Sequence, residues 1–168
     1  MMLKRSTIAG LLAIIWMCII FSFSAQVKEE SSGTSMAFSY RVVSSAGTFF
    51  GLRLDDEEIR RIANSIEGYV RKAAHMTEYA ILSILLYFWL ERWQLAEVRK
   101  SIIAIVLAMS YAASDEIHQL FVRGRAGSVR DVIIDSAGAV IGVLVLLGVK
   151  RCISFLCSRR KYRETELS

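Results

Sequence analysis

Residues 131–149 read DVIIDSAGAVIGVLVLLGV, and this stretch decides the fold. After Asp135 no charge interrupts it before Val149. A helix needs about 20 mostly apolar residues to cross the hydrocarbon of a bilayer, because each residue rises only ~1.5 Å. The stretch therefore reads as a membrane span that carries both its charges, Asp131 and Asp135, at one end. Gly138 and Gly142 continue the face of the two aspartates and allow another helix to come close.

Three further runs fit the same description. Thr7 to Ser24 has no charge, Arg71 to Trp93 is most apolar between Ala80 and Leu90, and Ser101 to Phe121 is apolar until Asp115. The expected architecture is one all-α membrane bundle with spans at about 7–24, 71–93, 101–121 and 131–149. Residues 25–70 then form an outer segment and residues 150–168 a tail. Composition agrees: 54% of the 168 residues are hydrophobic and proline is absent, which argues against a soluble domain. The net charge of +5 is carried beside the apolar runs and not on one solvated stripe, so a nucleic-acid partner is not expected. Cys18, Cys152 and Cys157 lie in or beside apolar segments without CxxC spacing and read as reduced packing residues.

Basic residues set the direction. Lys4 and Arg5 precede the first span, Arg92, Arg99 and Lys100 separate the second from the third, and Lys150, Arg151, Arg159, Arg160, Lys161 and Arg163 follow the fourth. Four crossings put all three groups on the cytoplasmic side, with both termini, in a multi-pass protein of the cell membrane. Trp89 and Trp93 suit an aromatic anchor at that inner end. A cleavable leader is the rival for the first span, since Ser22 and Ser24 precede Ala25 like a cleavage site. Its apolar region of about 17 residues exceeds the usual 7–15, which favours a retained span.

In the outer segment, Gln26 to Ser45 is rich in Ser, Gly and Thr and reads as loop. From Asp55 an amphipathic helix is expected in the outer interface. Asp55 or Asp56 caps it, Glu57 and Glu58 suit its first turn, and Ile59, Ile62, Ile66 and Tyr69 recur at helical spacing. Gly68 would allow a bend where this helix meets the second span.

The polar residues of the spans gather at one level. Lys72, His75, Glu78 and Tyr79 lie in the outer part of the second span, within about a third of the helix circumference. Asp115, Glu116, His118 and Gln119 close the third span, and Asp131 and Asp135 open the fourth. Ionisable groups cost a few kcal/mol each at the bilayer centre and usually face a bundle interior. The bland account is buried pairing and capping, with Asp131 capping the fourth span and Lys72 paired to Asp115 or Asp135. Against it stands the number of such groups, including both histidines of the chain. His75 can act as base, acid or nucleophile, with Glu78 orienting it, and Asp115, Glu116 and His118 can supply acid groups. Arg123, Arg125 and Arg130 flank Gly124, Gly127 and Ser128 in a short loop, where guanidinium forks suit phosphate oxygens. Lys72, Tyr79, Gln119, Asp131 and Asp135 complete the candidate binding set. The carboxylates also permit a divalent cation such as Mg²⁺, though D-E-x-x-Q and D-x-x-x-D are not diagnostic spacings.

Four stretches together carry a resemblance: KAAHMTEY at 72–79, SDEIHQ at 114–119, GRAGS at 124–128 and DVIIDSAG at 131–138. In this order they resemble the VanZ family of bacterial membrane proteins over roughly residues 10 to 150. The polar exit of the first span, FSFSAQ at 21–26, is similar too. Arg123 departs from the proline that many relatives carry before the glycine. The resemblance implies a four-span helical domain and, for the namesake, reduced susceptibility to the glycopeptide teicoplanin. It is also similar to a broader set of enzymes proposed to modify lipid head groups. The expected partners are membrane lipids or lipid-linked envelope precursors. A non-catalytic binder of head groups or cell-wall precursors, and a small proton-coupled transporter, are the alternatives. The uncharged inner halves of the spans speak against the transporter.

Overall fold

The computed structural model describes residues 2–166, with side chains from Lys4 to Arg159. Five α-helices follow one another: α1 Met2–Ser24, α2 Lys28–Phe49, α3 Asp56–Leu90, α4 Glu97–Gln119 and α5 Val129–Glu166. A single 3₁₀ turn, Glu91–Trp93, leads from α3 towards α4, and no strand occurs among the described residues. The basic residues Arg160, Lys161 and Arg163 lie beyond the described side chains. Residues 150–166 are not a separate tail but the continuation of α5.

α3 touches all four other helices. Asp55 starts it as its sequence suggests. The Asp55 carboxylate accepts the Glu58 N–H at 2.8 Å, and Glu58 accepts the Asp55 N–H at 3.1 Å. Such a reciprocal cap is worth about 1 kcal/mol. From there the helix runs unbroken through Gly68 into the second apolar run, without the bend that this glycine would allow. At ~1.5 Å per residue α3 is about 52 Å long, well beyond the ~30 Å of hydrocarbon. Its first third extends the second span instead of lying apart from it.

The segment read as loop from Gln26 to Ser45 is helix, and the reason is tertiary. Ser39, Val43 and Gly47 follow at intervals of one turn and are buried against α3. Small side chains there let α2 lie close to its neighbour, which outweighs the weak helix propensity of Ser, Thr and Gly. Several hydroxyls turn back on the helix itself: Ser39 Oγ donates to the Ser35 carbonyl at 2.8 Å and Ser35 Oγ to that of Ser31 at 3.1 Å. α2 runs antiparallel to the start of α3. Tyr40 donates to Asp56, the Arg60 guanidinium lies 5.6 Å from the Tyr40 ring centre, and Arg71 reaches Ser32. The turn between them is closed by Gly51 at φ 70°, where the Leu52 N–H bonds the Gly47 carbonyl and the Gly51 N–H that of Thr48. Only glycine takes that left-handed cap position without cost.

The bundle interior is built from small residues. Ala104, Ala108 and Ala112 form a fully buried stripe down α4, and Ala139 and Val143 do the same on α5. α3 and α5 approach closest at the two glycines. A Cβ on Gly138 would lie 2.2 Å from the Met76 carbonyl oxygen, and one on Gly142 would lie 2.5 Å from that of Ala80. Ser83 Oγ donates across the same contact to the Ala139 carbonyl at 2.9 Å. At the opposite end, Lys150 Nζ bonds Glu97 at 2.7 Å and the Tyr87 hydroxyl at 2.9 Å, tying α3, α4 and α5 together. This ion pair holds the Glu97 carboxyl below its ordinary value. Trp89 and Trp93 stack edge to face, 4.9 Å between ring centres.

The outer surface is as apolar as the core. Ile8, Leu11, Leu12, Ile14 and Ile15 on α1, Ile102, Val106 and Leu107 on α4, and Ile141, Leu144 and Val145 on α5 all stand exposed. Contiguous apolar surface on this scale belongs in lipid. Among the described residues, three helices are long and apolar enough to cross a membrane: Lys4–Ser24, Asp56–Trp93 and Val129–Arg159, with mean hydropathies of 2.2, 1.3 and 2.4. α4 is not among them, because Glu97, Arg99 and Lys100 crowd one end and Asp115, Glu116 and His118 the other. Cys18, Cys152 and Cys157 are free, in keeping with reduced thiols, and exposed, so they do not pack inside the bundle.

Candidate functional site

The site forms where α3, the end of α4, the 120–128 loop and the start of α5 converge. A small polar cavity of about 90 Å³ is lined by Arg71, Lys72, His75, Glu116, Gln119, Arg125, Asp131, Ile134 and Asp135. Leu90, the last residue of α3, is 15 residues from His75, so the imidazole stands about 22 Å from that end of the helix. Helical spacing brings Arg71, Lys72 and His75 to this cavity, and Asp131 and Asp135 face it from one turn of α5.

His75 and Glu78 form a pair. Nδ1 of His75 lies 3.1 Å from Glu78 Oε2, with side chains 23% and 16% exposed. An ionised carboxylate can only accept, so when Glu78 is ionised the neutral imidazole carries its proton on Nδ1 and presents the Nε2 lone pair. Glu78 thus fixes the tautomer of the histidine, as its position three residues further along α3 suggests.

Glu116 and Arg125 build the cavity wall. Glu116 Oε1 accepts the Ser128 N–H at 2.6 Å and so holds the residue that precedes α5. The Ser128 carbonyl in turn accepts the Asp131 N–H at 2.9 Å. Asp131 therefore sits inside the first turn and is not the cap expected of it. Arg125 spends its guanidinium on the protein. Nε donates to the Gln26 carbonyl at 3.0 Å, Nη2 to the Phe23 carbonyl at 3.3 Å, and Nη1 to Gln119 Oε1 at 3.3 Å. Gln119 donates on to Asp115 Oδ2 at 3.3 Å. Burial, with the Arg71 charge nearby, draws the Arg125 guanidinium below its ordinary value, yet an arginine stays charged in a protein. The fork read as a phosphate clamp is a clamp on the chain, joining the α4–α5 loop to the exit of α1.

This assignment has a measurable consequence. Arg125→Lys keeps a charge but cannot serve three acceptors in a fork. It should lower stability in detergent by about 2 kcal/mol, given ~1.5–3 kcal/mol for hydrogen bonds to charged groups, and open residues 120–128 to protease. Unchanged unfolding and unchanged cleavage would contradict the clamp.

Not every expected residue reaches the cavity. Tyr79 is fully buried behind it, with its ring 6.3 Å from that of Tyr111. Asp115 is likewise buried behind Gln119. His118 turns away and stacks on Phe21, ring centres 4.4 Å apart. Arg123 and Arg130 are exposed and do not line the cavity. Lys72 lines it, but makes no ion pair with Asp115 or Asp135 among the described residues. Among those residues, no three His, Cys, Asp or Glu side chains are grouped to hold a metal ion.

Arg71 is a cavity residue that the sequence reading missed. Its Nη1 bonds Glu67 and Ser32 Oγ, each at 3.1 Å, and its side chain borders the cavity. It also borders a second space, an apolar groove of about 510 Å³ between α2 and α3. Phe23, Phe38, Val42, Val70 and Ala74 supply much of its wall, Glu78 lines it too, and Arg71 and His75 line both groove and cavity.

No curated protein and no solved structure matches the chain. A family profile described as VanZ/LLP1 matches residues 9–151, a range that contains α3, α4, the loop after α4 and the first part of α5. With its helical membrane-type bundle and its polar motifs in the order noted above, the chain belongs to the VanZ/LLP1 family.

Proposed function

We propose that the protein crosses the membrane four times, with both termini in the cytoplasm, and acts at the outer leaflet on a phosphate-containing lipid or a polyprenyl-linked envelope precursor. One arrangement carries this reading: a polar cavity and an apolar groove adjoin at His75 and Arg71. An amphiphile needs both, a wet pocket for its head group and an apolar channel for its tail. α4 supports the fourth crossing. It packs through its alanine stripe between helices that are themselves span-like, and it turns Ile102, Val106 and Leu107 outward. The basic residues at the far end of the bundle support the direction.

In this reading His75 Nε2 takes the proton from an attacking hydroxyl as its oxygen bonds to phosphorus, and Glu78 stabilises the imidazolium that results. Arg71 and Lys72 offset the charge on the phosphate oxygens. Glu116, Asp131 and Asp135 line the same cavity as candidate proton donors to the leaving oxygen. Asp115 and His118, set behind the wall, are positioning groups in this scheme. A change in an envelope precursor would also be a route to lowered glycopeptide susceptibility, teicoplanin included.

Profiling lipids and cell-wall precursors in cells with and without the protein tests the proposal. A species that accumulates or disappears with the protein supports turnover. Unchanged profiles beside co-purified lipid favour the non-catalytic binder. Topology has its own test at Gly33, where an added Cβ meets nothing within 4 Å. In a background free of native cysteines, Gly33→Cys should react with an impermeant thiol reagent from outside intact cells. Reaction only after the cytoplasmic face is opened would overturn the four-span orientation.

A further inference from the structure

The bundle has a second cavity at its opposite end, far from His75. It measures about 420 Å³ and lies between α1 and α4 on the floor of α3. α1 and α4 both pack on α3 but touch each other little, which leaves a furrow open to the surrounding hydrocarbon. Its walls include Leu11, Ile14, Leu86 and Leu107, and Trp89 forms part of its floor. Two features define its ends. Towards the membrane centre it is closed by the Tyr111 hydroxyl, which donates to the Met17 carbonyl at 2.7 Å. Towards the inner surface it ends at Thr7 and Arg92.

Length and charge then narrow the occupant. From Thr7 to Met17 is ten residues of α1, about 15 Å, which is half the ~30 Å of hydrocarbon and thus the depth of one leaflet. Arg92 is the cation that lines the furrow, with its guanidinium 5.0 Å from the Trp93 ring centre. Lys4 and Arg5 stand within one turn of Thr7. A basic mouth above a leaflet-deep apolar furrow matches an anionic phospholipid of the cytoplasmic leaflet.

We propose that the furrow between α1 and α4 holds one acyl chain of an anionic phospholipid from the inner leaflet, with its head group on Arg92. The Tyr111–Met17 closure separates it from the outer site, so it is a lipid site distinct from the polar cavity and its groove. An occupant there would set the spacing of α1 and α4 on α3.

Trp89 reports on this furrow directly. The full chain carrying Trp16→Phe and Trp93→Phe leaves it as the sole tryptophan. Reconstituted in phosphatidylcholine vesicles, it should be quenched by chain-brominated phosphatidylglycerol more than by brominated phosphatidylcholine at equal mole fraction. The expected preference is about fivefold, the factor equivalent to ~1 kcal/mol per basic residue near an anionic head group. Arg92→Gln should bring the two lipids to parity, whereas Arg99→Gln, at the same end but off the furrow, should keep the preference. Equal quenching in the parent, or a preference surviving Arg92→Gln, would overturn the site. Loss of preference in both variants would assign it to surface charge in general and overturn it as well. Circular dichroism at matched concentration confirms that each variant is folded.

Discussion

His75→Gln should cut the lipid or precursor change made by the protein by about 10²–10⁴-fold, the usual contribution of a positioned acid–base group. Gln keeps roughly the size and the hydrogen-bonding capacity of the imidazole but cannot take up a proton. Glu78 retains a partner within reach, so the fold should be intact, and thermal unfolding in detergent should match the parent. Expression and membrane insertion must be equal for the comparison to hold. Arg71→Gln, which removes a charge from the junction of cavity and groove, should weaken substrate binding more than it slows a saturated reaction. A protein that only held head groups would reverse this order, since its affinity would rest on the cations and not on a titrating ring. Full function in His75→Gln would remove the histidine mechanism.

Gly138→Val should destabilise the bundle more than any substitution at the cavity. A Cβ there meets the Met76 backbone at 2.2 Å from its carbonyl oxygen and 2.7 Å from its Cα. Backbone cannot swing aside as a long side chain does, so α3 and α5 must separate. Overpacking in cores costs about 1–3 kcal/mol, occasionally more, and a clash with helix backbone belongs at the upper end. The helix separation also breaks the bond from Ser83 to the Ala139 carbonyl and displaces Asp135 from His75. Loss of about 3 kcal/mol or more in detergent unfolding, with little protein reaching the membrane, is expected. A well-expressed variant of parental stability would show that the close crossing does not exist.

Much of this arrangement was legible in the chain, and the failures have physical causes. Gly138 and Gly142 announced the closest helix contact because glycine one turn apart on an apolar helix serves little else. Asp55 and Glu58 announced the start of α3 through their spacing alone. His75 and Glu78 could be paired from helix geometry. α2 could not be read, because Ser39, Val43 and Gly47 form a helix face only when α3 lies against them. Arg71 was missed for the same reason: its partner Ser32 lies on the segment taken for loop. The bonds of Arg125 to the Phe23 and Gln26 carbonyls could not be read, because backbone groups of a distant segment leave no mark in side-chain composition. The stacking of His118 on Phe21 is equally a matter of tertiary contact. Local signals with one partner on the same helix were readable. Those completed by another helix were not.

Histidine-dependent turnover of a phospholipid or precursor is tested most directly by phosphorus NMR on the purified protein with vesicles made from extracted cell lipid, precursors included. The parent protein should bring about a new phosphorus resonance, growing with time at the expense of an existing one. His75→Gln, at equal concentration and equally folded, should leave the spectrum unchanged over the same period. Contradiction would come from a parent protein that binds the lipid yet leaves every resonance where it was, or from a His75→Gln variant that converts it at the parental rate.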